Sequence, residues 1–149
     1  MDQEVKLPSG FGRDHMSRPI LIIEDDPDIA EVLRYNLEAQ KFETRVAHNG
    51  REGLAASLDK EQPPLLILLD QLLPEMNGLD ICRRIRRDSA SPHVPIIMVT
   101  ARSSAEDFLN AKAAGVDDYL TKPFTIGKVL ARISALLDAT ETKRTLKLF

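Results

Sequence analysis

Three short runs of aliphatic residues, each closed by an acidic or hydroxyl residue, constrain this chain most. Ile20-Leu21-Ile22-Ile23 runs into Glu24-Asp25-Asp26, Leu65-Leu66-Ile67-Leu68-Leu69 into Asp70, and Pro95-Ile96-Ile97-Met98-Val99 into Thr100. Unbroken apolar runs of this length read as strands buried on both faces, because an alternating pattern would leave one face in water. Thr44-Arg45-Val46-Ala47 and Asp118-Tyr119-Leu120-Thr121 are weaker strand candidates, suited to outer positions. Helical periods lie between the runs. Ile29, Val32, Leu33 and Leu37 form one stripe, and Leu79, Cys82 and Ile85 another. Ile126, Val129, Leu130, Ile133, Leu136 and Leu137 form the longest. Leu54 with Leu58, and Ala105 with Phe108 and Leu109, mark two shorter helices. Asp26-Pro27 reads as a helix N-cap followed by proline at the first helical position, and Gly50 and Gly115 stand at expected helix boundaries. Strands alternating with helices predict an α/β fold, a doubly wound five-stranded parallel sheet with five helices on its two faces.

The 149 residues suit one domain, and 43% hydrophobic content is enough for a core. A net charge of −3 argues against a dominant nucleic-acid-binding surface. The single cysteine, Cys82, excludes an internal disulfide framework and a cysteine-rich zinc site, and suits a reducing compartment. Residues 1–18 show neither period nor an apolar signal core, and are expected to be an unstructured leader. Residues 139–149 either continue the last helix or begin a linker.

In open parallel sheets, ligands bind outside the carboxyl ends of the strands. That rule gathers Glu24, Asp25, Asp26, Asp70, Thr100 and Lys122 on one rim. Clustered carboxylates repel unless a proton or a cation neutralises them. Donors that are all oxygen favour a hard cation, and Mg²⁺ takes one or two carboxylates with waters and a phosphate oxygen. An Asp carboxylate beside Mg²⁺ and a lysine ammonium is suited to accept a phosphoryl group, with a hydroxyl such as that of Thr100 to hold a phosphoryl oxygen. The remaining residues have blander readings. Asp26 caps a helix, Gly78 supplies a positive φ after Asn77, Cys82 is core, the histidines are surface residues, and Arg83, Arg84, Arg86 and Arg87 form a solvated basic face.

Four fragments, in order and on the right strand ends, resemble the receiver domains of two-component response regulators. They are Glu24-Asp25-Asp26, the segment Leu69-Asp70-Gln71-Leu72-Leu73-Pro74-Glu75-Met76-Asn77-Gly78, Thr100-Ala101, and Asp118-Tyr119-Leu120-Thr121-Lys122-Pro123-Phe124. The resemblance covers about residues 19–138 and is strongest to receivers that precede winged-helix transcription factors. It implies the flavodoxin-like strand order 2-1-3-4-5. It implies Asp70 as phosphoacceptor, with Asp25, Asp70 and the backbone carbonyl of Leu72 as Mg²⁺ ligands and Glu24 acting through water. Thr100 and Lys122 would hold the phosphoryl group, Thr100 and Tyr119 would form the switch, and the Lys122–Pro123 bond would be cis. The implied partner is a sensor histidine kinase. The implied role is a cytoplasmic phosphorylation-controlled switch that assists only its own phosphorylation and dephosphorylation, without membrane or direct nucleic-acid contact. A homodimer promoted by phosphorylation would use Asp118, Arg132, Val129 and Leu130, whereas Phe108, Lys112 and Lys128 depart from the expected pattern. The competing class is a Mg²⁺-dependent phosphohydrolase with an aspartyl-phosphate intermediate. Such enzymes commonly place an acid two residues after the nucleophile, where this chain has Leu72.

Overall fold

The computed structural model describes residues 18–88 and 93–147, with side chains as far as Thr140. Five strands alternate with five helices: β1 (Ile20–Ile23), α1 (Pro27–Ala39), β2 (Thr44–Ala47), α2 (Gly50–Ser57), β3 (Leu66–Asp70), α3 (Gly78–Arg87), β4 (Ile96–Thr100), α4 (Ala105–Ala114), β5 (Asp118–Thr121) and α5 (Ile126–Lys147). The strands form one parallel sheet in the order β2-β1-β3-β4-β5. The three unbroken aliphatic runs are its central strands, buried throughout, and the two mixed runs are its edges. This follows from solvation: only a central strand loses water on both faces.

Alternation within the strands divides the core into two. Ile20, Ile22, Leu66, Leu68, Ile97 and Val99 meet α1 and α5 through Leu33, Leu37, Val129, Ile133 and Leu137. Leu21, Ile23, Ile67, Leu69, Ile96 and Met98 meet the other three helices through Ala56, Ile81, Cys82, Ile85, Ala111 and Ala114. Each fully buried Ile or Leu contributes about 1.5–3 kcal/mol relative to exposure. Burial pushes the Cys82 thiol up to about 11, so it is a core group rather than a reactive one.

Capping follows local chemistry. Asp26 Oδ1 accepts from the amides of Asp28 and Ile29, and Pro27 opens α1. Asn77 caps α3, and Ser104 with Asp107 closes a capping box on α4. Gly115 ends α4 in the left-handed region at φ 101°. α5 runs on to Lys147, so the segment from residue 139 continues the helix. The leader expected over residues 1–18 lies outside the described residues apart from Arg18, whose guanidinium donates to Pro64 O at 2.8 Å.

Several expectations are corrected. Val32 is 49% exposed, and Ala30 takes its place among the buried residues of α1. Phe108 and Leu109 stay 51% and 63% exposed, and α4 buries Ala111 and Ala114 instead; a short helix over a sheet edge approaches most closely through small residues. Gly78 does not have a positive φ; that conformation falls on Glu75 and Lys41. Glycine is required at 78 for space, since a Cβ there would lie 2.6 Å from Asp70 O and 2.8 Å from Gln71 Cα. Arg86 leaves the solvated face. It is half-buried and donates to Gly115 O at 2.9 Å, Val94 O at 2.7 Å and Asp117 Oδ2 at 2.7 Å. His93, expected only as a surface residue, is exposed but adds a contact to Asp117 at 3.2 Å.

Candidate functional site

β1 and β3 pair so that Ile23 stands beside Leu69, and both chains then turn polar at the same rim. Carboxylate oxygens of Glu24, Asp25 and Asp70 lie within 4.8 Å of one another there. Glu24 and Asp70 are 3% and 6% exposed, whereas Asp25 faces solvent. Lys122, carried past the end of β5, reaches across the rim to Glu24 Oε1 at 2.9 Å and to Asp70 Oδ2 at 3.4 Å. The Lys122–Pro123 peptide is cis. Asp70 Oδ1 accepts from the amide of Leu72 at 3.1 Å, which orients the carboxylate.

The electrostatics follow from crowding. Burial, reinforced by the neighbouring Asp70 carboxylate, pushes Glu24 up to about 7 against the opposing pull of Lys122. Burial works against the charged form of Lys122, but its hydrogen bond to Glu24 and the charge of Asp70 outweigh that and hold its pKa above the ordinary value. One ammonium thus faces two buried carboxylates with a third alongside, a balance that a divalent cation would complete. The donors are all oxygen, which suits Mg²⁺.

Thr100 ends β4 and is wholly buried, and its Oγ1 accepts from the amide of Arg102 at 3.2 Å. The carbonyl of the same residue accepts from the Tyr119 hydroxyl at 2.6 Å. Thr100 and Tyr119 are therefore joined through a single intervening residue. The Tyr119 ring meets Phe108 edge-on, with centroids 6.0 Å apart. The structure brings Glu24, Asp25, Asp70 and Lys122 together directly, and links Thr100 to Tyr119 beside them. Asp118 and Arg132 pair within the chain at 3.4 Å. Asp26 is occupied as the cap of α1, as expected. Leu72 is 46% exposed beside the site. Nothing in the sequence marks Gln71 as buried: it follows the strand end, where a polar residue reads as loop, yet it is 3% exposed.

A family profile described as the response regulator receiver domain matches residues 20–134. The DNA-binding dual master transcriptional regulator RpaA of Synechocystis sp. is 40% identical over 122 residues, 82% of this chain and 50% of that protein. The DNA-binding response regulator MtrA of Mycolicibacterium smegmatis is 41% identical over 128 residues, 86% of this chain and 54% of that protein. The chain thus spans about half the length of the curated relatives it matches. Among solved structures, a CheY-like receiver domain from Methanospirillum hungatei superposes with a TM-score of 0.77 at 31% identity, covering 85% of this chain and 98% of that one. DrrB of Thermotoga maritima, an OmpR/PhoB homolog, does so with 0.74 at 30% identity, covering 84% of this chain and 54% of that one. With the fold, the strand order and these matches in agreement, the chain belongs to the response regulator receiver domain family, the signalling domain of two-component systems, and its relatives are transcriptional regulators.

Proposed function

We propose that the chain is a phosphorylation-controlled switch that takes a phosphoryl group from a phosphohistidine of a sensor kinase onto Asp70. The observation that carries this reading is the Asp70 carboxylate at the sheet rim, almost buried yet held between the Leu72 amide and the Lys122 ammonium. In the transfer an Asp70 carboxylate oxygen attacks phosphorus in line. The phosphorus–nitrogen bond of the phosphohistidine breaks, and its electron pair returns to the imidazole. Lys122 neutralises phosphoryl oxygen charge, moving from its bond to Glu24 toward the incoming group. The Thr100 hydroxyl donates to a phosphoryl oxygen. Asp25, Asp70 and the Leu72 carbonyl would hold Mg²⁺ directly, and Glu24 through water. When bound, Mg²⁺ supplies the positive charge that lets a carboxylate and a phosphoryl group approach.

An apolar groove of about 490 Å³ lined by Ile29, Val32, Pro123 and Phe124 opens beside Lys122 and offers a kinase surface a place to rest while its histidine reaches Asp70. Phosphorylation draws Thr100 inward, disturbs its bond to Arg102 and so changes the support of Tyr119. The changed face of α4, β5 and α5 then promotes a homodimer. The chain assists its own phosphorylation and dephosphorylation only. A phosphohydrolase acting on separate substrates commonly has a general acid two residues beyond its nucleophile, and the side chain there is Leu72. No helix among the described residues is long and apolar enough to cross a membrane.

Incubation with a small phosphodonor and Mg²⁺, followed by mass spectrometry, tests the acceptor. The expected adduct is one phosphoryl group on Asp70, absent from Asp70→Asn. An undiminished adduct in that variant would overturn the assignment.

A further inference from the structure

Gln71 presents a buried acceptor that no donor among the described residues satisfies. Its Oε1 is the buried side-chain polar atom without a hydrogen-bond partner among the described residues. The backbone of Gln71 has no freedom to relieve this. Its amide donates to Val99 O at 3.2 Å, its carbonyl accepts from Gly78 N at 2.7 Å, and the start of α3 is packed against its Cα. Only the side-chain torsions remain.

The sheet register says what stands beside it. Asp70, the last residue of β3, pairs with Val99, and the Gln71 amide donating to Val99 O carries that ladder one step further, which places Gln71 beside Thr100. Side chains alternate between faces, and Leu69 and Met98 belong to the cluster beneath α2, α3 and α4, as does Tyr119. Gln71 and Thr100 therefore share that face, on adjacent strands about 4.8 Å apart. Thr100 Oγ1 accepts from Arg102 N, and among the described residues its own proton has no acceptor. A buried acceptor lacking a donor and a buried donor lacking an acceptor thus occupy neighbouring positions. An orphaned buried polar atom is costly, and rotation of either side chain would remove the cost.

We propose that Gln71 is a positioning residue for Thr100: its carboxamide oxygen is the resting acceptor of the Thr100 hydroxyl proton, in competition with a phosphoryl group on Asp70. This rests on the reading of Thr100 given above. The hydroxyl has one proton, so it serves one acceptor at a time. Gln71 holds it on the side of the sheet that carries Tyr119, and the phosphoryl group draws it to the rim. Removing the resting acceptor shifts Thr100 toward its phosphoryl-facing orientation by about three- to tenfold, the range of one hydrogen bond.

The test uses the full chain. Gln71→Leu removes the acceptor at similar volume, Thr100→Val removes the hydroxyl at similar shape, and the double variant completes a cycle. Urea unfolding in the absence of metal is expected to show non-additive unfolding constants, differing by about threefold or more from the product of the single changes. Additive constants overturn the pairing. A Thr100 methyl resonance gives the second readout: in unphosphorylated Gln71→Leu it is expected to move part of the way toward its phosphorylated position. A resonance that stays put, or moves equally in Gln71→Glu, which keeps a carboxyl acceptor, also overturns it. If Gln71→Leu fails to fold, Gln71→Met takes its place in both measurements. The unfolding cycle needs no phosphoryl group, so failure of Asp70 to be phosphorylated, which would sink the switch reading, is distinguishable from failure of the Gln71–Thr100 pairing.

Discussion

Replacing Arg86 with methionine keeps an unbranched apolar stem and removes the guanidinium. Three donors disappear at once, from Gly115 O, Val94 O and Asp117 Oδ2. These acceptors belong to the turn before β5 and the lead into β4, so the guanidinium ties the end of α3 to two strand entries. Arg86 is 17% and Asp117 25% exposed. Breaking a fully buried pair costs about 3–5 kcal/mol, and a hydrogen bond from a charged group about 1.5–3 kcal/mol. Here the penalty is reduced by solvent, and because Asp117 keeps the Ile96 amide at 2.8 Å and His93 at 3.2 Å. The expected loss is about 2–4 kcal/mol, a large part of the 5–15 kcal/mol available to a domain of this kind. Urea unfolding of metal-free protein measures it, with an unchanged denaturant slope as the sign that the unfolded state is the same. Arg83→Met on the same helix is the control. Arg83 is exposed and, among the described residues, pairs with Asp80 one turn away, so its loss should stay within about 0.5 kcal/mol. If Arg86→Met lost under about 1 kcal/mol, or no more than Arg83→Met, the bracket would be no more than a solvated contact.

Asp25→Ala should weaken Mg²⁺ binding by at least about tenfold, since even an outer partner of a metal ligand is worth about 10–100-fold, whereas Asp26→Asn preserves the cap and should change it little; equal losses by calorimetry would contradict this division. Glu24 binds a proton more tightly folded than unfolded, so between its ordinary value of 4.5 and about 7 the native state holds the extra proton and stability falls as pH rises. Unfolding in EDTA should show this fall in the parent chain and a flatter profile in Glu24→Gln; equal slopes would refute the burial argument. Phosphorylation should raise the sedimentation coefficient toward a dimer, and Arg132→Glu should weaken that dimer by up to about fivefold for each ion pair lost. A monomer in both states, or a dimer indifferent to the substitution, would refute the α4-β5-α5 interface.

The aliphatic runs determined the three central strands of the sheet. An uninterrupted run of four or five aliphatic residues between helical periods is too short for a buried helix and is best covered as a strand on both faces, and the residue that ends each run then lies at the rim. The rim placement of Glu24, Asp25, Asp70 and Thr100 was legible for that reason, that of Lys122 from the end of the mixed strand β5, and Asp26 as a cap because capping is local chemistry. The side of a short helix that packs was not legible. Ala105, Phe108 and Leu109 have the right spacing, yet α4 buries Ala111 and Ala114 and leaves Phe108 and Leu109 more than half exposed. Arg86 and Gln71 were decided by tertiary structure for a related reason. The burial of a polar side chain depends on what arrives from distant parts of the chain, here the Gly115 turn above Arg86 and the Gly78 helix start against Gln71. Gly78 itself shows the limit most clearly: its sequence context suggests a backbone need, and only the packed molecule reveals that the space beside Asp70 and Gln71 excludes a Cβ.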